Sequence, residues 1–416
     1  MSSLRIVAVS PEWPGPQLHF LAQAGLELPQ HTVAPWNTVG DHGAMHIVYA
    51  SFDEVPSFKA ASTHILANCR EAMGRHDLTL LTLGDTALPA HGGFNHLTAN
   101  LKERNYLRRG LAFREFVRHR LQTIRPAVFH FRTPWEGLPA GEMGLPSVYE
   151  VNGLPSIELP YLYRDAGQKV LDVLRQWEQA CLDQAACVVC PSERIRECLL
   201  RRYRVPDPGR IRVIPNGYDP VLPVPTPATE GPLRAVYLGT LHPWQGILWA
   251  LRAFAPLRGL WELDIYGVGQ RAWLRAAEKR IVRYGLQGQV RLHAPLERGR
   301  LERELGRYHA GLAPLLKTER NADQGCCPVK IMDYLAHGLV TVAPDLAVVR
   351  ALIEHNRNGL LHAPNSLQSF SDALIELHRR RSELPAMRGD VLASLDGFPT
   401  WNECSRRLLA IYESMA

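Results

Sequence analysis

Twice along this chain, short β-branched apolar runs alternate with helical patterns, and the two series are separated by the stretch DPVLPVPTPATEGP at 219–232. Apolar runs without internal alternation mark strands buried on both faces, and strands spaced by helices imply parallel pairing through crossovers. In the first series strands are expected at 45–52, 78–83, 127–131, 146–151, 186–190 and 211–214. In the second they are expected at 234–238, 261–266, 290–293, 310–315 and 339–343. Five prolines and almost no large apolar groups make 219–232 a semi-rigid linker. The chain therefore reads as two α/β domains, 45–218 and 233–399, each with a parallel sheet covered by helices, and the cleft between them is the natural ligand site. At 416 residues it is longer than one hydrophobic core fills. Residues 1–44, rich in proline, glycine and histidine and strand-like only at 4–9, read as an extension beside the main fold.

Chemistry concentrates in GCCPVKIMDYLAHGLVTVAPD, residues 325–345. Pro328 suits the first turn of a helix over 329–337, and Gly338 is the left-handed residue expected just past its end. Lys330 and Asp333, three residues apart, share one face of that helix. The helix N-terminus supplies free N–H donors and a partial positive charge, which suits a phosphate, while Asp333 can accept from ribose hydroxyls. In the first domain, the small residues Ala60, Ala61 and Ser62 precede a helix expected over 63–74, so that backbone amides can approach a ligand. The plain structural readings of these two features are a surface ion pair and ordinary strand-to-helix packing. His130, Arg132, Glu150 and Asn152 fall where first-domain strands give way to loops, the side of a parallel sheet on which sites gather.

A net charge of +6 fits an anionic ligand or an anionic membrane surface, and no nucleic-acid-binding motif appears. Residues 101–125 carry eight Lys or Arg against two Glu around an apolar stripe of Leu107, Leu111, Val117, Leu121 and Ile124. This is a basic amphipathic helix, suited to anionic headgroups or to a solvated flank of the sheet. No apolar run approaches the ~20 residues of a membrane span, so any membrane contact is peripheral, on the cytoplasmic face. The eight scattered cysteines, with no signal peptide ahead of them, read as free thiols in a reducing cytosol. Cys187 and Cys190 form a C-x-x-C but bracket Val188 and Val189 in an apolar run, so they read as a buried strand. No metal-ligand spacing is present, and neither metal nor cofactor is expected.

The motifs, taken in order, resemble family 4 of the glycosyltransferases. They are VYEVNG, CPSERIRECL, IRVIPNGYD, VYLGTLHPWQGI, ELDIYGVGQ and GLAPLLKTERNADQGCCPVKIMDYLAHGLVTVAPD with its continuation. The likeness spans about 45–416 and is strongest in the second half. It implies a GT-B fold, two Rossmann-like parallel-sheet domains facing across a cleft. The second domain would bind a nucleotide-sugar donor and the first an acceptor, with a last helix at 400–416 crossing back onto the first domain. By position, Asp333 stands at the second glutamate of the family's E-x7-E motif, which binds ribose, while Gly325 takes the place of the first. Backbone around Gly325, Cys326 and Cys327 would then serve the sugar. In GTLHPWQG, Gly239 is followed by Thr240 where the family has a diphosphate-binding arginine, and Gln245 stands for its lysine. Lys317, Arg320 and Lys330 are the candidates to replace those charges. Gly267 and Gly269 would let the nucleotide approach the backbone. The family's first-domain histidine corresponds to Asn152, which can hydrogen-bond a sugar but cannot act as a base.

Such a family member implies retaining transfer from a UDP- or GDP-sugar to a glycan or lipid-linked acceptor. Lys330 would act at the diphosphate with Ala60 and Ala61 opposite, and Glu150 and Asn152 on the acceptor side. Orientation and charge stabilisation carry that chemistry, so no glycosidase-like carboxylate pair is required. Two alternatives stand beside it. One is a catalytically silent GT-B protein that binds nucleotide or glycan as a partner, suggested by the absent Arg, Lys, His and Glu. The other is a sugar-nucleotide epimerase, which calls for more acid/base groups in the cleft.

Overall fold

The structure, a computed structural model, describes residues 44–221 and 227–415. The extension expected at 1–44 falls, but for its last residue, outside the described residues, as does the middle of the linker. The first domain is a seven-stranded parallel sheet of β1 (His46–Glu54), β2 (Asp77–Leu83), β3 (Phe94–Ala99), β4 (Val128–Phe131), β5 (Ser147–Glu150), β6 (Cys187–Cys190) and β7 (Ile211–Val213), in the order β3-β2-β1-β4-β5-β6-β7. The second is a six-stranded parallel sheet of β8 (Leu233–Thr240), β9 (Trp261–Val268), β10 (Val290–His293), β11 (Ala310–Leu312), β12 (Val340–Pro344) and β13 (Gly359–His362), in the order β10-β9-β8-β11-β12-β13. Both are doubly wound. The strand order reverses between β1 and β4 in one sheet and between β8 and β11 in the other, and ligands bind parallel sheets at such switch points.

The helix Val329–Ala336 follows the sequence reading closely. Pro328 stands at its N-cap and Gly338, at φ +68°, turns the chain into β12. It seats on the sheet through Tyr334, which donates to the Leu312 carbonyl at 3.1 Å and accepts from the Leu238 amide at 2.9 Å. Gly311 makes room for that ring, since a Cβ there would stand 2.2 Å from it. Ile331, Met332 and Leu335 are fully buried around it, worth about 1.5–3 kcal/mol each.

Trp401–Glu413, the last described helix, crosses back onto the first domain. It lies against the helix Ala60–Met73, and Trp401, Leu408, Leu409 and Tyr412 complete an apolar core with Ile47, Tyr49, Val128 and Val148. Two backbone bonds fasten its start, from the Tyr218 amide to the Pro399 carbonyl and from the Trp401 amide to the Tyr218 carbonyl. The chain therefore passes between domains twice, at the linker and again just before this helix.

Several boundaries differ from expectation. The first-domain helix begins at Ala60 rather than 63, with Lys59 at the N-cap position. The basic helix is shorter, Tyr106–Thr123, because Asn105 caps it by accepting from the Leu107 and Arg108 amides. After β8 only Ile247–Ala250 is α-helical, and Leu251–Leu257, with Pro256 inside it, continues as a tighter 3-10 helix. Strand β3, the helices Pro134–Glu142 and Pro155–Leu162 and the π-helical turn Glu319–Gln324 were not anticipated. Cys187 and Cys190 lie on β6 as expected, and all eight cysteines are free.

Candidate active site between the domains

The two switch points face one another, and positive charge gathers where they meet. His242, in the loop after β8, is pulled down to about 4, first by burial and then by the charges of Lys59, Arg320 and Lys330. Those three cations come from the start of the first-domain helix Ala60–Met73, the π-helical turn and the helix Val329–Ala336. The His242 ring packs on Trp244 in a tilted arrangement, centroids 4.5 Å apart, Arg320 lies over the same indole at 5.7 Å, and first-domain Tyr161 meets it edge-on at 5.9 Å. Arg320 Nε also bonds Glu158 of the first domain at 3.0 Å.

Lys330 is 9% exposed, its Nζ 2.7 Å from Gln245 Oε1 and 4.1 Å above the Tyr237 ring. Burial drives its pKa down to about 7, with Arg320 lowering it further against the opposing pull of Cys326. The position where the family carries a lysine thus holds a glutamine that orients Lys330. A Cβ on Gly239, at φ +120°, would stand 3.3 Å from the ammonium, so that glycine keeps the approach to Lys330 open. The helix start opposite has no side-chain cap, with Ala60 exposed and Ala61 half-buried in its first turn. The amides of its first turn add to the positive field.

The remaining donor-side candidates divide. Thr240 gives its carbonyl to Tyr237 Oη at 2.5 Å, Gly267 packs on the Leu241 side chain, and a Cβ on Gly269 would meet the Leu241 nitrogen at 3.9 Å. Cys326 is buried beside Arg320 and Lys330, burial raising its thiol pKa. Cys327 gives its carbonyl to first-domain Asn216 at 2.6 Å. Asp333 was expected to stand ready for ribose, yet its Oδ1 is 2.8 Å from Arg298 Nη1, a residue the sequence reading missed. Arg298 starts the helix Arg298–Leu305 and also bonds Glu302, so local pattern gave no sign that it reaches Asp333. Gly325 was expected to offer backbone to a sugar. At φ +95° its Cα packs on first-domain Arg194, where a Cβ would come within 2.8 Å. Lys317 is exposed, held through its backbone by Asn365.

Among the residues expected on the acceptor side, Glu150 is a hub. Its carboxylate, 2% exposed, takes bonds from Tyr49 at 2.6 Å, His130 at 2.8 Å, His64 at 2.5 Å and the Asn152 amide, with Arg132 Nε at 3.3 Å. Burial alone would raise its pKa, but His64 and Arg132 with the histidine hydrogen bonds hold it well below the usual carboxylate range. Glu150, expected on the acceptor side, is buried within this network. Both oxygens of this carboxylate are engaged by neighbouring groups. Asn152, half-buried at the rim, donates inward to this hub. Tyr412, from the returning helix, bonds His130 Nδ1 at 2.8 Å.

A pair of doubly wound domains with cations converging between their switch points has the architecture of the GT-B glycosyltransferases. The family models agree. Glycosyltransferase Family 4 matches residues 61–222, and Glycosyl transferases group 1 matches 232–380. The chain belongs to the family 4 glycosyltransferases. No curated protein sequence matches it. Among solved structures it is similar to sucrose-phosphate synthase from Thermosynechococcus elongatus, at 15% identity and TM-score 0.73 over 89% of this chain and 98% of that one. It is also similar to HepE of Anabaena in complex with UDP-glucose, at 14% identity and TM-score 0.69 over 89% and 99%. A third likeness is to the catalytic domain of starch synthase IV from Arabidopsis thaliana bound to ADP and acarbose, at 10% identity and TM-score 0.66 over 89% and 99%. At these identities the likeness is one of fold. No described helix is long and apolar enough to cross a membrane.

Proposed function

We propose that the chain moves a sugar, with retention of configuration, from a nucleoside-diphosphate sugar, UDP- or GDP-linked, to a glycan or lipid-linked acceptor. The observation that carries this is the meeting of Arg320, over the Trp244 ring, and Lys330, bonded to Gln245, at the loop after β8, with the charge of Lys59 also felt at His242. A diphosphate is the ligand that such a cluster, together with an uncapped helix start, neutralises best. In the transfer, the bond from the sugar's anomeric carbon to the phosphate oxygen breaks. A bond to the acceptor oxygen forms on the same face, and the acceptor's proton passes to the departing phosphate. The protein supplies orientation and positive charge. Asp333 shares its carboxylate between Arg298 and ribose, and no metal is required.

Thermal shift against UDP, GDP, ADP and their sugars tests the reading, because a ligand at 100 times its Kd stabilises the folded state by about 2.7 kcal/mol. No shift with any of them overturns it. The binding-only alternative is favoured by one feature, the occupation of Asp333 by Arg298. Release of nucleoside diphosphate from a nucleotide sugar, even at a slow hydrolytic rate, separates the two. We further place the protein at the cytoplasmic membrane face through 101–125. Arg114 and Arg118 there pair with Glu142, leaving exposed Lys102, Arg104, Arg108 and Arg125 for anionic lipid. Sedimentation with anionic but not neutral liposomes is the expected result.

A further inference from the structure

Asn216 lies between the two halves of the site. The segment that carries it, just after β7, is clamped on several sides. The Ile214 amide donates to the Cys190 carbonyl at 3.0 Å, and Cys404 Sγ lies 3.1 Å from the Pro215 carbonyl. Gly217 presses on the start of the last helix, where a Cβ would stand 2.5 Å from the Trp401 nitrogen. Asn216 itself is 4% exposed. Its Oδ1 accepts from His64 Nδ1 at 2.7 Å and its Nδ2 donates to the Cys327 carbonyl at 2.6 Å. His64 reaches Glu150 through its other ring nitrogen at 2.5 Å. Cys327 immediately precedes Pro328, the N-cap of the helix that carries Lys330 in its first turn. A continuous path of close polar contacts thus runs from the Glu150 hub through His64 and Asn216 to the residue just before the N-cap of the Lys330 helix. An amide is suited to this place because it offers an acceptor and a donor at once.

We propose that Asn216 is a positioning residue for sugar transfer. By tying His64 to the Cys327 carbonyl, it holds the Glu150 hub and the Lys330 helix in one alignment across the domain boundary. Binding of the nucleotide to second-domain groups does not need that alignment, whereas the meeting of acceptor and anomeric carbon does. The consequence for catalysis rests on the nucleotide-sugar reading above; the coupling itself does not.

The test uses the full chain with Asn216→Ala, which removes both bonds, and Asn216→Asp, which keeps the acceptor toward His64 but loses the donor to Cys327. In ligand-free protein, amide hydrogen exchange over 326–333 is expected to rise about tenfold in both variants while the helix Arg271–Arg283 is unchanged. Unaltered exchange over 326–333 in both overturns the coupling. With UDP-glucose and GDP-mannose as probes, whichever donor the unmodified chain turns over is expected to show kcat lowered at least about tenfold in both variants, while the Kd for the matching nucleoside diphosphate stays within about threefold. Unchanged kcat, or a loss confined to KM, overturns the positioning role. Failure of the unmodified chain to bind either diphosphate sinks the transfer reading instead, and the exchange result still judges the coupling.

Discussion

Lys330 illustrates how far one residue's role depends on its surroundings. Its lowered pKa means that the free site holds a partly neutral amine near pH 7, and an incoming diphosphate restores the charge. Proton uptake therefore accompanies binding. Affinity for the nucleotide sugar is expected to weaken as pH rises above about 7, by up to about tenfold per unit. Calorimetry in buffers of differing ionisation enthalpy reads the proton directly, and binding that is independent of both buffer and pH between 7 and 9 contradicts this. The sign for stability is separate. The unfolded chain holds the Lys330 proton between about 7 and the ordinary 10.5 while the folded chain does not, so this residue's burial penalty is relieved as pH climbs through that window. Lys330→Met removes the charge but keeps the bulk. Nucleoside-diphosphate affinity should fall at least about tenfold, the worth of one charge-assisted hydrogen bond. The melting temperature should move by only a few degrees, because the relieved burial of charge offsets the partner lost by Gln245. Equal affinity in a titration would remove Lys330 from the site.

Elements differ in how legible they were, and the reason is where their stabilisation comes from. The helix Val329–Ala336 announces itself locally, through proline at one end, Gly338 at the other and apolar residues between. The helix Pro134–Glu142 does not, since PWEGLPAGE contains two prolines and two glycines. It is held by the reciprocal cap of Thr133 and Glu136 and by the tight seat of Gly137 on Phe131. Strand β3 has the polar–apolar sequence FNHLTA of a sheet edge rather than a buried run. The π-helical turn exists through first-domain partners, including Arg194 on the Ala322 carbonyl and the Leu154 amide on Gln324. Distance in sequence hid Arg298, Asn216, His242 and Lys59 in the same way, since none belongs to a local pattern that names its partner. The loop after β8 supplies a sharp test at this scale. Gly246 sits at φ +74° with its missing Cβ only 1.7 Å from the Pro314 carbonyl. Gly246→Ala must shift backbone, so urea unfolding should show a loss of about 2–4 kcal/mol together with impaired nucleotide binding. A variant as stable as the parent would mean that the loop has room to move.

At the scale of the whole molecule, the returning helix is part of the first domain in every respect except sequence position. Deleting 395–416 removes Trp401, Leu408 and Tyr412 from the core they share with β1, β4 and β5 and leaves His130 Nδ1 without its partner. The first domain of the truncated chain is expected to lose protease resistance while the second, whose core is built from 233–391, retains it. Equal resistance of both would place the helix outside the cooperative unit. The same arrangement sets a clock on biosynthesis. All seven strands of the first lobe have been synthesised by residue 213, yet the piece that seals them is made roughly 200 residues later, a wait of about 10–40 s at typical elongation rates. Throughout that interval the nascent lobe shows an unsealed apolar flank, which makes this stage of synthesis the one at which chaperone engagement counts most.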